Sequence, residues 1–387
     1  MRSSLLRVGF VATVLALVIG ALGGAAYGLT RAEDSAEVGA NLSLSDALNP
    51  GGAGFKKVTG PRELNFPGDH GPHPDYALEW WYYTGNVSTS DGRHFGYELT
   101  FFRIGLTSEE FNRTSEWATE QMYTAHFALT DVHNDEFHSF ERYSRDVLGL
   151  AGAVATPFRV WLEDWSAETD GDSLLPLRLR ASAEGIGINL SLNGEKGIVL
   201  HGDEGFSRKG DSPGQVSHYY SLTRMSTEGT ISVNGKSFPV QGLSWMDREW
   251  SSSQLSDEQV GWDWFALQLS DGRDIMYGEL RPRSDSESPF RLGTIVEADG
   301  SYRSLDDVDV SLEVMDRWQS PLGGTYPSRW RIRIPEEGID LEVTPFVSDQ
   351  ELAAIVRYWE GAVQIDGTAN GKPVSGSGYV ELTGYAD

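Results

Sequence analysis

The amino-acid sequence predicts an all-β chain of sandwiches or barrels, and three observations carry that reading. From about Phe66 onward, short runs rich in Val, Ile, Tyr, Phe and Trp alternate with turn signals. "TSDGR", "NGEKG", "VNGK", "LSDGR", "EADGS" and "IDGTANGK" recur between those runs, and Asp-Gly and Asn-Gly suit tight hairpins because primed turns need positive φ. Long helical periodicity is nearly absent, although "SDQELAAIVRYWE" is expected to contain one short helix. Third, "SDGRHFGYELTFFR" (90–103) aligns without gaps to "SDGRDIMYGELRPR" (270–283), each downstream of a Trp-rich strand. A repeated unit of Trp strand, Asp-Gly turn and return strand points to two related domains, placed here at 65–250 and 251–387.

Each part of the chain adds to this frame. Residues 8–29 form an uncharged run preceded by Arg2 and Arg7 and ended by Arg31. That is an export pattern, read as a signal peptide or membrane anchor over 1–30 with the folded body outside the cytoplasm. Residues 31–64 are polar and rich in Gly, Ala and Ser, and are expected to act as a flexible tether. The remaining length can bury a large core, and with 12 Trp and 11% aromatic residues much of it would come from rings that line cavities well.

Composition also excludes functions. With 57 acidic against 31 basic residues, the chain carries a formal charge of −26 and would repel nucleic acid. There is no Cys, so thiol catalysis, disulfides and Cys-based metal sites are ruled out. No G-x-S-x-G elbow, H-E-x-x-H helix, P-loop or Rossmann glycine pattern is present. "HGPH" (His70, His73) reads as a loop pair with a structural role or none, and "DVHNDEFH" (Asp131, His133, Asp135, His138) as a solvated hairpin turn.

More informative is the placement of acids beside indoles. In "HGPHPDYALEWWYYTG", strand alternation puts Glu79, Trp81 and Tyr83 on one face and Trp80, Tyr82 and Thr84 on the other. In "QGLSWMDREW", Trp245, Asp247 and Glu249 share one face, with Met246, Arg248 and Trp250 opposite. "GWDWFALQL" sets Asp263 between Trp262 and Trp264, and "GYVELTGY" puts Tyr379 and Glu381 on one face. Two readings stand. Either Arg248 neutralises an acid and the indoles fill the core, or ring burial raises a carboxyl pKa and makes a general acid with π-faces for a cation.

These stretches, with "YTAHFALTD" and "YWEGAVQIDGTANGKPVSGSGYVELTGY", resemble the AttH-like secreted family over about residues 60–387. That family is related to the carotenoid 1,2-hydratases. The resemblance implies two tandem lipocalin-like antiparallel β-barrels with a hydrophobic site in or between them. The hydratase branch adds water across a terminal isoprenoid double bond, which needs a neutral carboxylic acid, a dry aromatic pocket and one admitted water, without cofactor or metal. On that footing Asp247 is the expected acid, with Glu79 or Glu249 as second carboxylate. Trp81, Trp245 and Tyr97 would stabilise the cation, His126 and Tyr123 would position water, and Arg103 and Arg248 would hold carboxylates. Trp80, Trp81, Tyr83, Tyr123, Trp245, Trp262, Trp264 and Tyr379 would line the ligand site. The alternative is a non-catalytic carrier of a hydrophobic isoprenoid or lipid, whose partner would be a membrane transporter.

Overall fold

The computed structural model describes residues 54–386 except 109–118, 212–213, 253–254, 257, 285, 307–308 and 355. The expected signal or anchor and most of the expected tether lie outside the described residues. Residues 54–64 do not fit the tether expectation. Phe55 and Val58 are buried, the Lys56 amide donates to Asp75 O at 2.8 Å, and Arg62 pairs with Asp69 at 2.5 Å.

Strands dominate, with two short 3₁₀ turns and no α-helix among the described residues. The first sheet begins with β1 (Leu78–Ser88), β2 (His94–Gly105), β3 (Gln121–Asp131), β4 (Glu136–Arg145), β5 (Ala151–Ala155), β6 (Phe158–Leu162) and β7 (Trp165–Glu168). It continues through β8 (Leu177–Ala183), β9 (Ile186–Gly194), β10 (Val199–Leu200), β11 (Phe206–Arg208), β12 (Val216–Val233) and β13 (Lys236–Ser251). The second sheet contains β14 (Gln259–Leu269), β15 (Asp274–Pro282), β16 (Phe290–Val296), β17 (Tyr302–Leu305) and β18 (Ser311–Gln319). Its remaining strands are β19 (Thr325–Ile334), β20 (Ile339–Pro345), β21 (Glu351–Leu352), β22 (Tyr358–Ala369) and β23 (Lys372–Thr383).

The strand order is β4-β3-β2-β1-β13-β12-β9-β8-β7-β6-β5 in the first sheet and β17-β16-β15-β14-β23-β22-β20-β19-β18 in the second, with antiparallel pairing in both. Asn-Gly turns set the register locally. Asn234-Gly235 closes the β12–β13 hairpin with φ of 51° and 79°, and Asn370-Gly371 closes β22–β23 with 51° and 73°. Residues with a Cβ seldom tolerate such φ values, and glycine pays no such penalty.

Both sheets curl around their own apolar core. In the first, Trp81, Tyr83, Leu99 and Phe127 on β1–β3 face Val160, Leu179 and Leu190 on the later strands, and Phe127 meets Trp165 edge-on at 5.7 Å. In the second, Phe265, Tyr277 and Ile295 pack against Trp330, Leu341 and Val363, with Phe265 edge-on to Trp330 at 5.5 Å. These are the two lipocalin-like barrels the resemblance implied. The repeated motifs form equivalent hairpins: Thr89 N donates to Arg93 O at 2.9 Å in β1–β2, and Leu269 N to Arg273 O at 2.8 Å in β14–β15.

The helix expected in "SDQELAAIVRYWE" is not formed. Glu351 and Leu352 instead pair with Trp359 and Tyr358 of β22. Gln350 accepts from Ala362 N at 3.0 Å and donates to Val347 O at 2.8 Å, while Tyr326 donates to Glu351 at 2.7 Å. A single helical turn has little stability of its own, so these tertiary bonds decide the conformation.

The barrels join through the outer faces of β1, β2, β3, β12 and β13 on one side and β14, β22 and β23 on the other. Asn86 donates to Gly378 O at 2.9 Å, Gln268 to Thr223 O at 2.7 Å and Thr130 to Gln350 at 2.6 Å. Asp274, fully buried, takes Lys196 at 2.8 Å and Arg224 at 2.6 Å from the first barrel.

Candidate functional site

Alternation sends the two faces of β1 to different destinations. Trp81 and Tyr83 enter the closed core of the first barrel, whereas Trp80 and Tyr82 point toward the second. The same parity on β13 turns Met246 inward and presents Trp245, Asp247 and Glu249 to the partner barrel. Between the barrels lies a cleft of about 780 Å³, its mouth included. The first barrel contributes Trp80, Tyr82, Phe102, Tyr219, Asp247 and Glu249. The second contributes Trp262, Trp264, Leu280, Tyr358, Glu360 and Glu381. Trp264 sits at the centre of the aromatic wall, edge-on to Tyr82 at 5.3 Å and to Trp245 at 6.2 Å.

Asp247 has no cation against it among the described ion pairs. Its Oδ1 accepts from Trp245 Nε1 at 2.7 Å and from the Ser221 hydroxyl. Burial pushes its pKa up to about 7, and these donors only partly offset that. Two carboxyls of the second barrel face it. Burial lifts Glu381 to about 8, and burial together with the nearby Glu381 and Glu98 charges lifts Glu360 well above the carboxylate range. Tyr82 donates to Glu360 at 2.5 Å. Glu98, on the same outer face of β2, is raised by burial to about 7. Glu249 differs: it pairs with Lys209 at 2.9 Å, and that ammonium lies 4.7 Å from the Tyr219 ring centroid.

Glu79 belongs to a separate cluster inside the first barrel. Arg103 Nε and Arg248 Nη2 each donate to one of its oxygens, and the His73 amide donates to both at 2.9 and 3.0 Å. Burial opposes the charge, but the Arg248 and Arg103 guanidiniums overcome it and hold the carboxyl well below its usual range. Arg248 also stacks over Trp81 at 4.0 Å, and His73 over Trp250 at 3.9 Å. The "HGPH" loop is therefore structural, with His70 bonded to Tyr220 OH at 2.6 Å. No group of three His, Asp or Glu side chains among the described residues is placed to hold a metal ion.

Of the residues singled out in the sequence, the cleft gathers Asp247, Glu249, Asp263, Glu381, Trp80, Trp262 and Trp264, with Trp245 supporting Asp247. Trp81, Tyr83, Tyr97 and Tyr123 are corrected to core positions, because their strand parity points them into the closed barrel. Tyr97 bonds Ser244 at 2.5 Å. Glu79 is corrected from second carboxylate to structural partner of Arg103 and Arg248. His126 stands behind the cleft, bonded to Tyr358 OH at 2.5 Å and to Glu141 at 3.1 Å. Tyr379 is buried in the inter-barrel layer. Asp263 is held by Arg281 at 2.9 Å and by Tyr385 at 3.0 Å. The sequence reading passed over Tyr82, Tyr219, Tyr358, Glu360 and Lys209. Tyr82 was readable from its parity with Trp80, whereas Lys209, in a loop, left no signal.

Comparison with known proteins places this architecture. The model of the AttH-like family matches residues 57–385. The chain belongs to the AttH-like family. A crystal structure of an AttH protein from Nitrosomonas europaea is 35% identical, with a TM-score of 0.75, covering 86% of this chain and 100% of that one. That of kievitone hydratase from Nectria haematococca shares this AttH-like fold at 18% identity, with a TM-score of 0.64 and coverage of 85% and 96%. A kievitone hydratase from Fusarium solani subsp. phaseoli is 23% identical over 223 residues, 54% of this chain. The match spans 61% of that curated relative's length.

Proposed function

We propose that this protein is an exported hydratase-like lyase that takes a hydrophobic isoprenoid or lipid into the inter-barrel cleft and adds water across a C=C bond. The observation that carries the reading is Asp247: a buried carboxyl on the wall of an aromatic cleft, held by an indole and a hydroxyl and not by a cation. Such a group remains substantially protonated near neutral pH and can act as a general acid. Likeness to two kievitone hydratases supports a hydration chemistry. Export rests on the N-terminal charge and hydropathy pattern.

Asp247 would protonate the less substituted alkene carbon, and the positive charge would develop on the more substituted one. The faces of Trp80, Trp262 and Trp264 would stabilise that cation through their quadrupoles. Water then attacks the cation, and the oxonium loses its proton to a carboxylate of the cleft wall, for which the Lys209-paired Glu249 is placed. The Lys209–Glu249 pair gives the apolar cleft one polar end, suited to a hydroxyl on the substrate.

The test is turnover of kievitone and of a panel of acyclic polyenes and terpenoid lipids, with binding followed by quenching of Trp fluorescence. Asp247→Asn should lower kcat by about 10²–10⁴-fold while affinity stays within a few fold. If ligands bind wild type and variant but neither converts them, the protein is a carrier and the lyase reading fails. Absence of both binding and turnover across the panel removes the hydrophobic-ligand reading itself.

A further inference from the structure

Behind Asp247, on the side away from the ligand cleft, lies an unbroken line of hydrogen-bonding groups. Ser221 sits opposite Asp247 in the β12–β13 register and donates its hydroxyl to Asp247 Oδ1. His201, in the loop between β10 and β11, places Nε2 at 2.6 Å from Ser221 Oγ. Its Nδ1 lies 2.9 Å from Thr294 Oγ1 on β16 of the second barrel. Ser221, His201 and Thr294 are all buried, and the line joins the two barrels.

The far end of this line reaches a second cleft. His201 and Thr294 line an open cleft of about 740 Å³, its mouth included, together with Phe206, Phe290 and Leu305. Leu292 borders both clefts and separates them. A purely structural histidine could use any single donor or acceptor at each nitrogen. Hydroxyls at both of its nitrogens are different, because each can donate or accept.

We propose that Thr294, His201 and Ser221 form a proton relay that reloads Asp247 from the second cleft, a role that rests on Asp247 being the general acid. With Asp247 ionised, Ser221 donates to it, His201 Nε2–H donates to Ser221, and Thr294 donates to Nδ1. In the reloading step, a hydronium ion in the second cleft gives a proton to the Thr294 oxygen and is left as water, and the original Thr294 proton passes to Nδ1. The Nε2 proton moves to Ser221, and the Ser221 proton moves to Asp247. One proton enters and one O–H bond forms at Asp247. His201 stays neutral throughout and changes only its tautomer, then resets by reorientation with the hydroxyls. Burial, helped by the Lys209 charge, lowers the His201 pKa to about 3, which suits a neutral relay.

Groups facing Asp247 are Tyr219, Ser221 and the Lys209-paired Glu249 from its own barrel and Glu360 and Glu381 from the other. His201 faces Tyr219, whose ring centroid is 4.1 Å away, and feels the Lys209 charge.

The experiment is ¹⁵N NMR of the histidine-labelled full chain across pH 5–9, with the His201 signals assigned by their loss in His201→Gln. The expected result is a neutral His201 whose protonated nitrogen switches from Nδ1 to Nε2 as pH rises through about 7, where Asp247 titrates. Ser221→Ala, which keeps the imidazole but cuts the line, should abolish the switch, as should Asp247→Asn. A single His201 tautomer through this range, or a switch that persists in Ser221→Ala, would overturn the relay. On any substrate that wild type converts, Ser221→Ala should lower kcat at least tenfold with KM unchanged. If no substrate is converted, the functional reading fails while the NMR result still decides whether the proton line exists.

Discussion

Asp247 and Glu79 show how far one residue type can be moved by its neighbours. Both are buried acids beside tryptophans, yet burial prevails at Asp247, while at Glu79 burial is outweighed by two guanidiniums acting together. Glu79→Gln should therefore cost about 3–5 kcal/mol of stability, because Arg103 and Arg248 would remain buried without their counter-charge. Urea denaturation measures the loss, and ligand affinity in the cleft should survive in the fraction that stays folded. A loss below about 1 kcal/mol would mean the cluster is hydrated and contributes little. The acid-beside-indole pattern was legible at both sites, but the distinction between them was not. Glu79 finds Arg103 at a separation of 24 residues and Arg248 at 169, and local spacing carries no trace of such pairings.

At the scale of the element, β1 is a strand with two aromatic faces and two jobs. Trp81 is fully buried in the barrel core, while Trp80 borders the cleft and is only partly buried. Trp81→Ala should destabilise the fold by about 3–5 kcal/mol through cavity formation. Trp80→Ala should cost far less stability but weaken ligand binding, read as a raised dissociation constant in fluorescence titration. Equal effects from the two substitutions would show that the strand faces are not divided in this way. Alternation and the Asn234-Gly235 and Asn370-Gly371 turns were readable because they depend on neighbouring residues alone. The short stretch at 348–360 was misread as helical because its strand pairing with β22 is a tertiary contact.

For the molecule as a whole, the layer between the barrels gathers Asp247, Glu98, Glu360 and Glu381 with few compensating cations. Burial raises Asp247 and Glu98 to about 7 and Glu381 to about 8, above the value of about 4 expected in an unfolded chain. As pH rises the unfolded chain then loses protons before the native one does, so this contribution to stability is full below about pH 4 and is lost by about pH 8. Glu79 has the opposite sign: its depressed pKa favours the fold above about pH 4.5, and that support fades as the pH falls. Calorimetric Tm should therefore decline between about pH 5 and 8, and Glu98→Gln should flatten the decline. A Tm that is flat or rising over that range in wild type would show that the inter-barrel carboxyls ionise without cost. By itself the sequence determined the strands, the turns, the duplication, the family pattern and which residues share a strand face, all consequences of local geometry and composition. Only the tertiary structure decided which of two aromatic faces became the core and which the site. Closure of each barrel and the docking of one on the other bring together residues far apart in the chain, and burial and charge at those junctions set what each carboxyl can do.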